Sequence, residues 1–440
     1  MNPGPTGHSM YRVAYSKSFL EFAIPPTMQV RVAETKPARP LKDARRAVAE
    51  ALAHPIGSAP LRELARGGQR VCIVFTDSTR ACPDHLLVPA LLGELENAGV
   101  RDKDVTLLCG SGLHRPSTQE EKSAKLGAAV VARYRIIDHA PQDPACLADL
   151  GVTPGGEPIQ IHRTAVEADL LISTGIVEPH QFAGYSGGAK TLAVGAAGEA
   201  LIAHTHSPAF LDHPRTRLGC IESNPFHEAV IEVGRRAGLR FIVNVVLDDD
   251  KRLLRVRAGD PEVAFQDLVD FARSIYEVPV PHPVDMAIGG VGFPKDANLY
   301  QASRAASYLS LGATRLVREG GLLIIPGRCQ EGAGAGVGEQ RFLAAMRDAP
   351  DVRSILESAR RHGYPPGQQR AFIMAQVLER VRVVIVGSEC PDVVSACKMI
   401  PAPTMDEALA LAARELGPAC RVVIVPHALL TLPVVTQANR

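Results

Sequence analysis

The segment EPHQFAGYSGGAKTLAVGAAGEALIAHTH, residues 178–206, gathers the side chains best suited to chemistry. Gly184, Gly187 and Gly188 let the backbone approach a ligand closely and offer N–H groups to an anion. Lys190 follows in the same loop, where desolvation can strip its proton and make it a nucleophile. A phosphate-binding P-loop would need glycine immediately before the lysine and a strand close behind. Ala189 stands there instead, and about eight residues separate the loop from the strand-like LLISTG, so a nucleoside triphosphatase is not expected. His180 lies ten residues before Lys190 and His206 sixteen after. His204 and His206 are two apart, so on an extended segment both face one side. Three histidines around one glycine-rich turn point to a metal or an acid–base site.

Three further clusters stand beside it. In TDSTR, residues 76–80, Asp77 suits either a ribose hydroxyl or the orienting of a histidine, and Arg80 suits bidentate clamping of a carboxylate or phosphate. In GSGLHRPSTQEE, residues 110–121, His114 follows an apolar run, while Ser117 and Thr118 with Glu120 and Glu121 read as a helix cap. In GGVGFPKDANLYQASRA, residues 289–305, Gln301 and Arg304 are three apart and share a helix face, an amide and a guanidinium fit for a carboxylate.

The elements that must carry these residues form an α/β pattern. RVCIVFTD (70–77), DVTLLCG (104–110), RYRIIDH (133–139) and ADLLISTG (168–175) read as strands, with helices near 85–99 and 118–127. A second set follows at 286–292, 321–327, 381–388 and 421–427. The expected fold is two α/β domains with mostly parallel sheets and the active site in the cleft between them. The proline-rich VPVPHP is the expected linker, giving a cofactor-binding domain over 1–278 and a C-terminal domain over 279–440 that closes over the substrate. YRVAYSKSFLEFAI reads as an antiparallel appendage of the first domain.

The 440 residues exceed one ordinary core. A net charge of +1 gives no basic field for nucleic acid. Neither a signal peptide nor a membrane-spanning apolar stretch is visible, so a cytoplasmic protein with no membrane partner is expected. Nine cysteines without a CxxC pair read as reduced thiols, with Cys82 the one placed to be reactive.

Taken in order, TDSTR, GLHRPST, EPHQFAGYSGGAK and PKDANLYQA resemble the motifs of the nickel-pincer lactate racemase family. The resemblance covers most of the chain, strongest over 70–227 and 285–305. It implies an isomerase that racemises or epimerises a 2-hydroxy acid by hydride transfer. The cofactor would be a nickel-pincer nucleotide (nickel pyridinium-3,5-bisthiocarboxylic acid mononucleotide), delivered by its biosynthesis enzymes. Lys190 would tether it through a thioamide, with Asp77, Gly187 and Gly188 on the cofactor side. His206 would ligate nickel, and His114 and His180 would be the catalytic pair, with Arg80 polarising the substrate. Tyr300, Gln301 and Arg304 would bind substrate.

The chain also departs from the family pattern. Arg304 stands where lactate racemases carry lysine, Ala81 where proline is common, Ala189 where arginine is frequent, and Val194–Gly195 where Pro–Gly is common. A 2-hydroxy acid other than lactate is therefore expected. Tyr300 or Phe372 would supply aromatic lining, and Arg370 in GQQRAF (367–372) would face a second carboxylate. Two competing readings are a metal-dependent hydrolase built on His180, His204 and His206, which lacks an HExxH helix, and a non-catalytic nucleotide-binding protein.

Overall fold

The computed structural model describes residues 9–154 and 156–437, so the opening MNPGPTGH of the stretch read for targeting lies outside the described residues. The chain divides into two compact units. The first holds Pro37–His206 and Ile221–Ser274; the second holds the described residues of Met1–Lys36, Ser207–Cys220 and Ile275–Arg440. No helix of the described residues is long and apolar enough to cross a membrane.

The first unit is built on a six-stranded sheet. Its order is Leu253–Gly259, Leu239–Leu247, Leu170–Ile176, Val71–Thr76, Val105–Gly110, Arg135–Asp138. Only the Leu253–Gly259 edge runs antiparallel. Every residue of VCIVFT and of LLISTGI is buried, as in parallel strands covered on both faces, with Thr76, Ser173 and Thr174 the polar exceptions. Counted along the chain, the five parallel strands lie in the order 3-2-1-4-5. The order reverses between Val71–Thr76 and Leu170–Ile176, and the carboxyl ends at such a reversal are where ligands gather. TDSTR and EPHQF follow those two strands.

A buried carboxylate, which the sequence reading passed over, holds this corner together. Asp84 accepts hydrogen bonds from Thr76 Oγ1 at 2.6 Å and Thr174 Oγ1 at 2.5 Å, so it ties the two switch strands to the start of the helix Asp84–Asn97. Lys125 Nζ lies 3.2 Å from it and also donates to the carbonyls of Arg80 and Cys82, fixing the loop that carries Asp77 and Arg80. Asp84→Ala should strand a buried ammonium and two hydroxyls and lower stability by about 3–5 kcal/mol. Denaturant titration reads this as a shifted midpoint at unchanged slope; an unmoved midpoint would deny Asp84 that role.

The helix Gln119–Leu126 begins with the expected cap, Thr118 and Glu121 bonding reciprocally as a capping box. None of the nine cysteines is in a disulfide, and Cys82 is buried. Burial, reinforced by the Asp84 charge, raises its thiol well above the ordinary range, so the reactive role expected of it is corrected to a packing one.

The second unit has a six-stranded, all-parallel sheet ordered Ile400–Ala402, Arg382–Val386, Val317–Pro326, Val284–Gly289, Arg421–Val425, Gln29–Val32. The antiparallel hairpin Met10–Tyr15 with Ser18–Ala23 forms as its alternation predicts, but it falls in this unit and not the first. Val13, Phe22 and Ile24 bury against Ile288 and Ile424 there, and Gln29–Val32 extends the sheet edge. The boundary at residue 278 therefore gives way to an interleaved arrangement, because an amphipathic edge strand does not say in sequence which sheet it joins. VPVPHP is not a bare linker either: Glu277–Val280 pairs in parallel with Leu432–Val435.

Candidate active site

Asp77 and His114 form a close polar contact at the first unit's switch corner. His114 Nδ1 lies 2.6 Å from Asp77 Oδ2, and Thr79 Oγ1 donates to Asp77 Oδ1 at 2.8 Å. Of the two uses open to Asp77, the orienting of a histidine is the one seen. Burial alone would raise its carboxyl. The hydrogen bonds from His114 and Thr79 and the charge of Arg80 outweigh burial and hold it below the usual carboxylate range. The Asp77 side chain is 6% exposed and that of His114 49%, a fixed anion behind an accessible ring. A carboxylate only accepts, so in the neutral ring Nδ1 carries the proton and Nε2 the lone pair. Arg80 is exposed, at the end of the turn in which its N–H meets the Asp77 carbonyl at 3.2 Å.

His180 is set the other way. It lies in the two-residue pairing of Pro179–His180 with Gly184–Tyr185. Its Nδ1 accepts from the backbone N–H of Phe182 at 3.3 Å and of Ala183 at 3.1 Å. A backbone N–H only donates, so the neutral ring carries its proton on Nε2. The two histidines therefore present opposite tautomers, one a proton acceptor at Nε2 and one a proton donor there.

Phe182 and Phe226, missed in the sequence reading, bring His180 and His206 to one aromatic wall. Phe182 meets His180 at 5.8 Å and His206 at 5.6 Å between ring centroids; Phe226 meets them at 6.2 and 5.0 Å. Asn224 anchors both phenylalanines, donating to the Phe182 carbonyl and capping the helix Pro225–Arg236. The Asn–Pro pair before an apolar helix was the signal that could have found it.

His206 ends the helix Glu199–Thr205, and its Nδ1 lies 2.8 Å from the Ile202 carbonyl, so it donates and the lone pair sits on Nε2. A helix carboxyl end favours an imidazolium. Burial wins, joined by the nearby Lys190 charge, and pushes the ring down to about 4. The expectation that His204 and His206 face one side on an extended segment is corrected. On a helix two positions differ by about 200°, and His204 turns to Glu157 at 3.6 Å.

Lys190 opens the short helix Lys190–Ala193 behind Gly187 and Gly188, at φ +95° and +58°. A Cβ at Gly187 would come within 2.6 Å of Val177, and one at Gly188 within 3.1 Å of the Phe265 ring. Their part as N–H donors to an anion is corrected at Gly188, whose N–H goes to Asn244 Oδ1 at 2.7 Å. Asn244, the one buried polar residue of the strand Leu239–Leu247, is thus the hidden support of this loop. A cavity of about 960 Å³ is lined by Gly187, Gly188, Ala189, His227 and Phe265 among others, but by none of His114, His180, Lys190 or His206. It is not where those side chains act.

These residues suit a metal that arrives with an organic cofactor. Among the described residues no three His, Cys, Asp or Glu side chains group as metal ligands. One neutral imidazole, its orientation fixed by the Ile202 carbonyl and close enough to Lys190 to feel its charge, matches a cofactor that brings its own remaining donors.

His139 and His162, whose rings meet at 5.6 Å, lie buried in the same unit; His139 Nε2 contacts the Ala197 carbonyl at 2.8 Å, on the stretch between Lys190 and His206. Burial lowers both, His162 to about 4. An unfolded histidine takes up its proton near 6.5. Stability should therefore be full above about pH 6.5 and lost as pH falls towards 4. Melting temperature against pH checks this, and His162→Gln should flatten that limb.

In the second unit, Asn298 caps the helix Leu299–Ala302 and accepts from the Gln301 N–H. The single helix expected to carry both is corrected: Gln301 lies in Leu299–Ala302 and Arg304 opens the next helix, Arg304–Ser310, yet Arg304 Nη1 still reaches Gln301 Oε1 at 3.4 Å. Tyr300 stands edge-on to Phe342 at 5.6 Å. Residues 367–372 are not a free loop. Gln369–Leu378 is a helix, Arg370 is buried within it, and Phe372 is 1% exposed, a core residue and not a pocket lining.

Residues 15–219 match the lactate racemase N-terminal domain and 281–432 the lactate racemase C-terminal domain. The chain is 36% identical over 387 residues to a lactate racemase of Lactiplantibacillus plantarum, covering 87% of this chain and 89% of that one. It is 32% identical over 381 residues to a lactate racemase of Thermoanaerobacterium thermosaccharolyticum, covering 86% and 88%. The solved lactate racemase apoprotein from Thermoanaerobacterium thermosaccharolyticum superposes with a TM-score of 0.88 at 29% identity, covering 97% of this chain and 100% of that one. The chain belongs to the lactate racemase family.

Proposed function

We propose that this protein is a racemase of a short 2-hydroxy acid, working with a nickel-pincer nucleotide in the cytoplasm. The observation that supports this most is the pair of opposed tautomers, His114 held by Asp77 and His180 held by two backbone amides. A reaction that runs equally in both directions needs one base and one acid that exchange roles, and imidazole suits that exchange near neutral pH. His114 Nε2 takes the hydroxyl proton, and the Asp77 carboxylate stabilises the imidazolium that results. His180 gives its Nε2 proton back to the carbonyl oxygen of the planar keto acid. Arg80 polarises that oxygen. Lys190 tethers the cofactor, with the Gly187–Gly188 turn behind it, and His206 Nε2 ligates nickel. Tyr300, Gln301 and Arg304 hold the substrate carboxylate. When bound, the cofactor supplies a reversible hydride acceptor for the C2 hydrogen, which is too weakly acidic to leave readily as a proton. Its biosynthesis enzymes are the partners this requires, and nine cysteines outside any disulfide accord with a reducing compartment.

The test is racemisation of single enantiomers of 2-hydroxy acids in D2O by the cofactor-loaded protein. The product should be racemic with its C2 hydrogen retained. Deuterium at C2 would replace hydride transfer by proton abstraction, and no turnover of any 2-hydroxy acid would remove the racemase reading.

A further inference from the structure

The helix Leu299–Ala302, which carries Tyr300 and Gln301, is only four residues long. One turn gains too few hydrogen bonds to fix its own backbone, so its neighbours must hold it. The Leu299 N–H donates to the Gly332 carbonyl at 2.8 Å, and the Glu331 N–H donates to the Ala297 carbonyl at 2.9 Å. The helix Val337–Asp348 supplies the side chains. Glu339 and Phe342 lie three apart and so share one face of it. Phe342, fully buried, meets the Tyr300 ring. Glu339 accepts from the Gly336 N–H at 2.7 Å through Oε2 and from Asn298 Nδ2 at 3.3 Å through Oε1. Asn298 is buried, and its Oδ1 accepts from the Gln301 N–H at 2.9 Å, so its amide cannot turn over without losing both bonds. A Cβ at Gly334 would run into the Glu339 carboxylate, so the loop before the helix is shaped around it. The bond to Gly336 is an ordinary helix cap, which glutamine makes as glutamate does. The bond to Asn298 is a different matter, because it reaches the residue that orients Gln301.

We infer that Glu339 is a positioning residue for Gln301. Its carboxylate acts through Asn298, which it locks in the orientation that caps Leu299–Ala302 and sets where Gln301 projects. Together with Phe342 against Tyr300, it makes the helix Val337–Asp348 the frame of that turn, and all of these residues belong to the second unit. This rests on the racemase reading for the role of Gln301 in holding the substrate.

The test is Glu339→Gln on the full chain, read by hydrogen exchange and, on cofactor-loaded protein, by initial rates with lactate or 2-hydroxybutyrate, whichever wild type turns over faster. The glutamine carbonyl keeps the Gly336 cap, while its NH2 meets the NH2 of Asn298, donor against donor. Melting temperature should hold within about 2 °C. Amide exchange over residues 298–302 should quicken and KM should rise, each about 10-fold, the worth of one hydrogen bond, with kcat kept. In a Gln301→Ala background, Glu339→Gln should change KM less than about 2-fold, because the two residues act in series. An unmoved KM, or the same rise in KM without Gln301, would overturn the inference. A fall in melting temperature alone would overturn it too, leaving Glu339 a helix cap and nothing more. If wild type racemises neither acid, the fault lies with the racemase reading and exchange decides this one: quicker exchange confined to residues 298–302 supports the brace, and unchanged exchange overturns it.

Discussion

His206→Ala should yield protein that folds, carries no nickel after co-production with the cofactor's biosynthesis enzymes, and racemises nothing above background. Ile202 explains why one side chain matters so much. Its carbonyl fixes Nδ1 as the donor, which sets the lone pair on Nε2, and burial with Lys190 keeps the ring neutral at working pH. A ligand must be deprotonated before it can bind metal, so the site is prepared in advance. Removing the ring also empties the space between Phe182 and Phe226, at a cost of about 2–4 kcal/mol. His206→Gln fills much of that space without an imidazole, so it should recover melting temperature and not metal. Nickel content and melting temperature measured together separate the two effects. Nickel retained by a folded His206→Ala would mean that another group ligates it.

The second large effect is expected at Asp77 and His114. His114→Ala should lower kcat by about 10²–10⁴-fold, the ordinary yield of positioned acid–base catalysis. Asp77→Asn should fall in the same range although His114 is still present, because an amide can donate to Nδ1 and turn the ring to the tautomer that has no lone pair on Nε2. Enantiomers are equal in free energy, so each variant must lose kcat/KM by the same factor from either hand. Initial rates from both enantiomers check this. A loss confined to KM, with kcat intact, would make Asp77 and His114 binding residues instead.

Much of this was legible because of how parallel sheets are built. VCIVFT and LLISTG must be apolar on both faces, so they stand out, and the polar residues that end such runs fall at the sheet's carboxyl edge. His114 and His180 were visible for that reason. The pairing of Asp77 with His114 was one option among several, since it joins residues 37 apart that only the adjacency of Val71–Thr76 and Val105–Gly110 brings together. His204 misled because spacing has a meaning only once the conformation is known: two apart means one face of a strand and opposite sides of a helix. Phe182, Phe226, Asp84 and Asn244 were hidden as ordinary core or cap residues. Their importance lies in what they touch. Residues 9–36 join the second unit through a strand only four residues long, too short and too evenly amphipathic to name its neighbour. The stretch 367–372 looked like a loop because of Gly367 and the two glutamines after it, but Gln369 already opens the helix that buries Arg370.

The central claim is that this chain holds a nickel-pincer nucleotide at Lys190 and His206. Its most direct test is intact-protein mass with nickel content, on the full chain co-produced with the cofactor's biosynthesis enzymes. The expected result is about one nickel per chain and an added mass on the peptide that contains Lys190, both lost together in Lys190→Ala. Protein of unmodified mass without nickel, from cells in which a known pincer enzyme is loaded alongside it, would contradict the account.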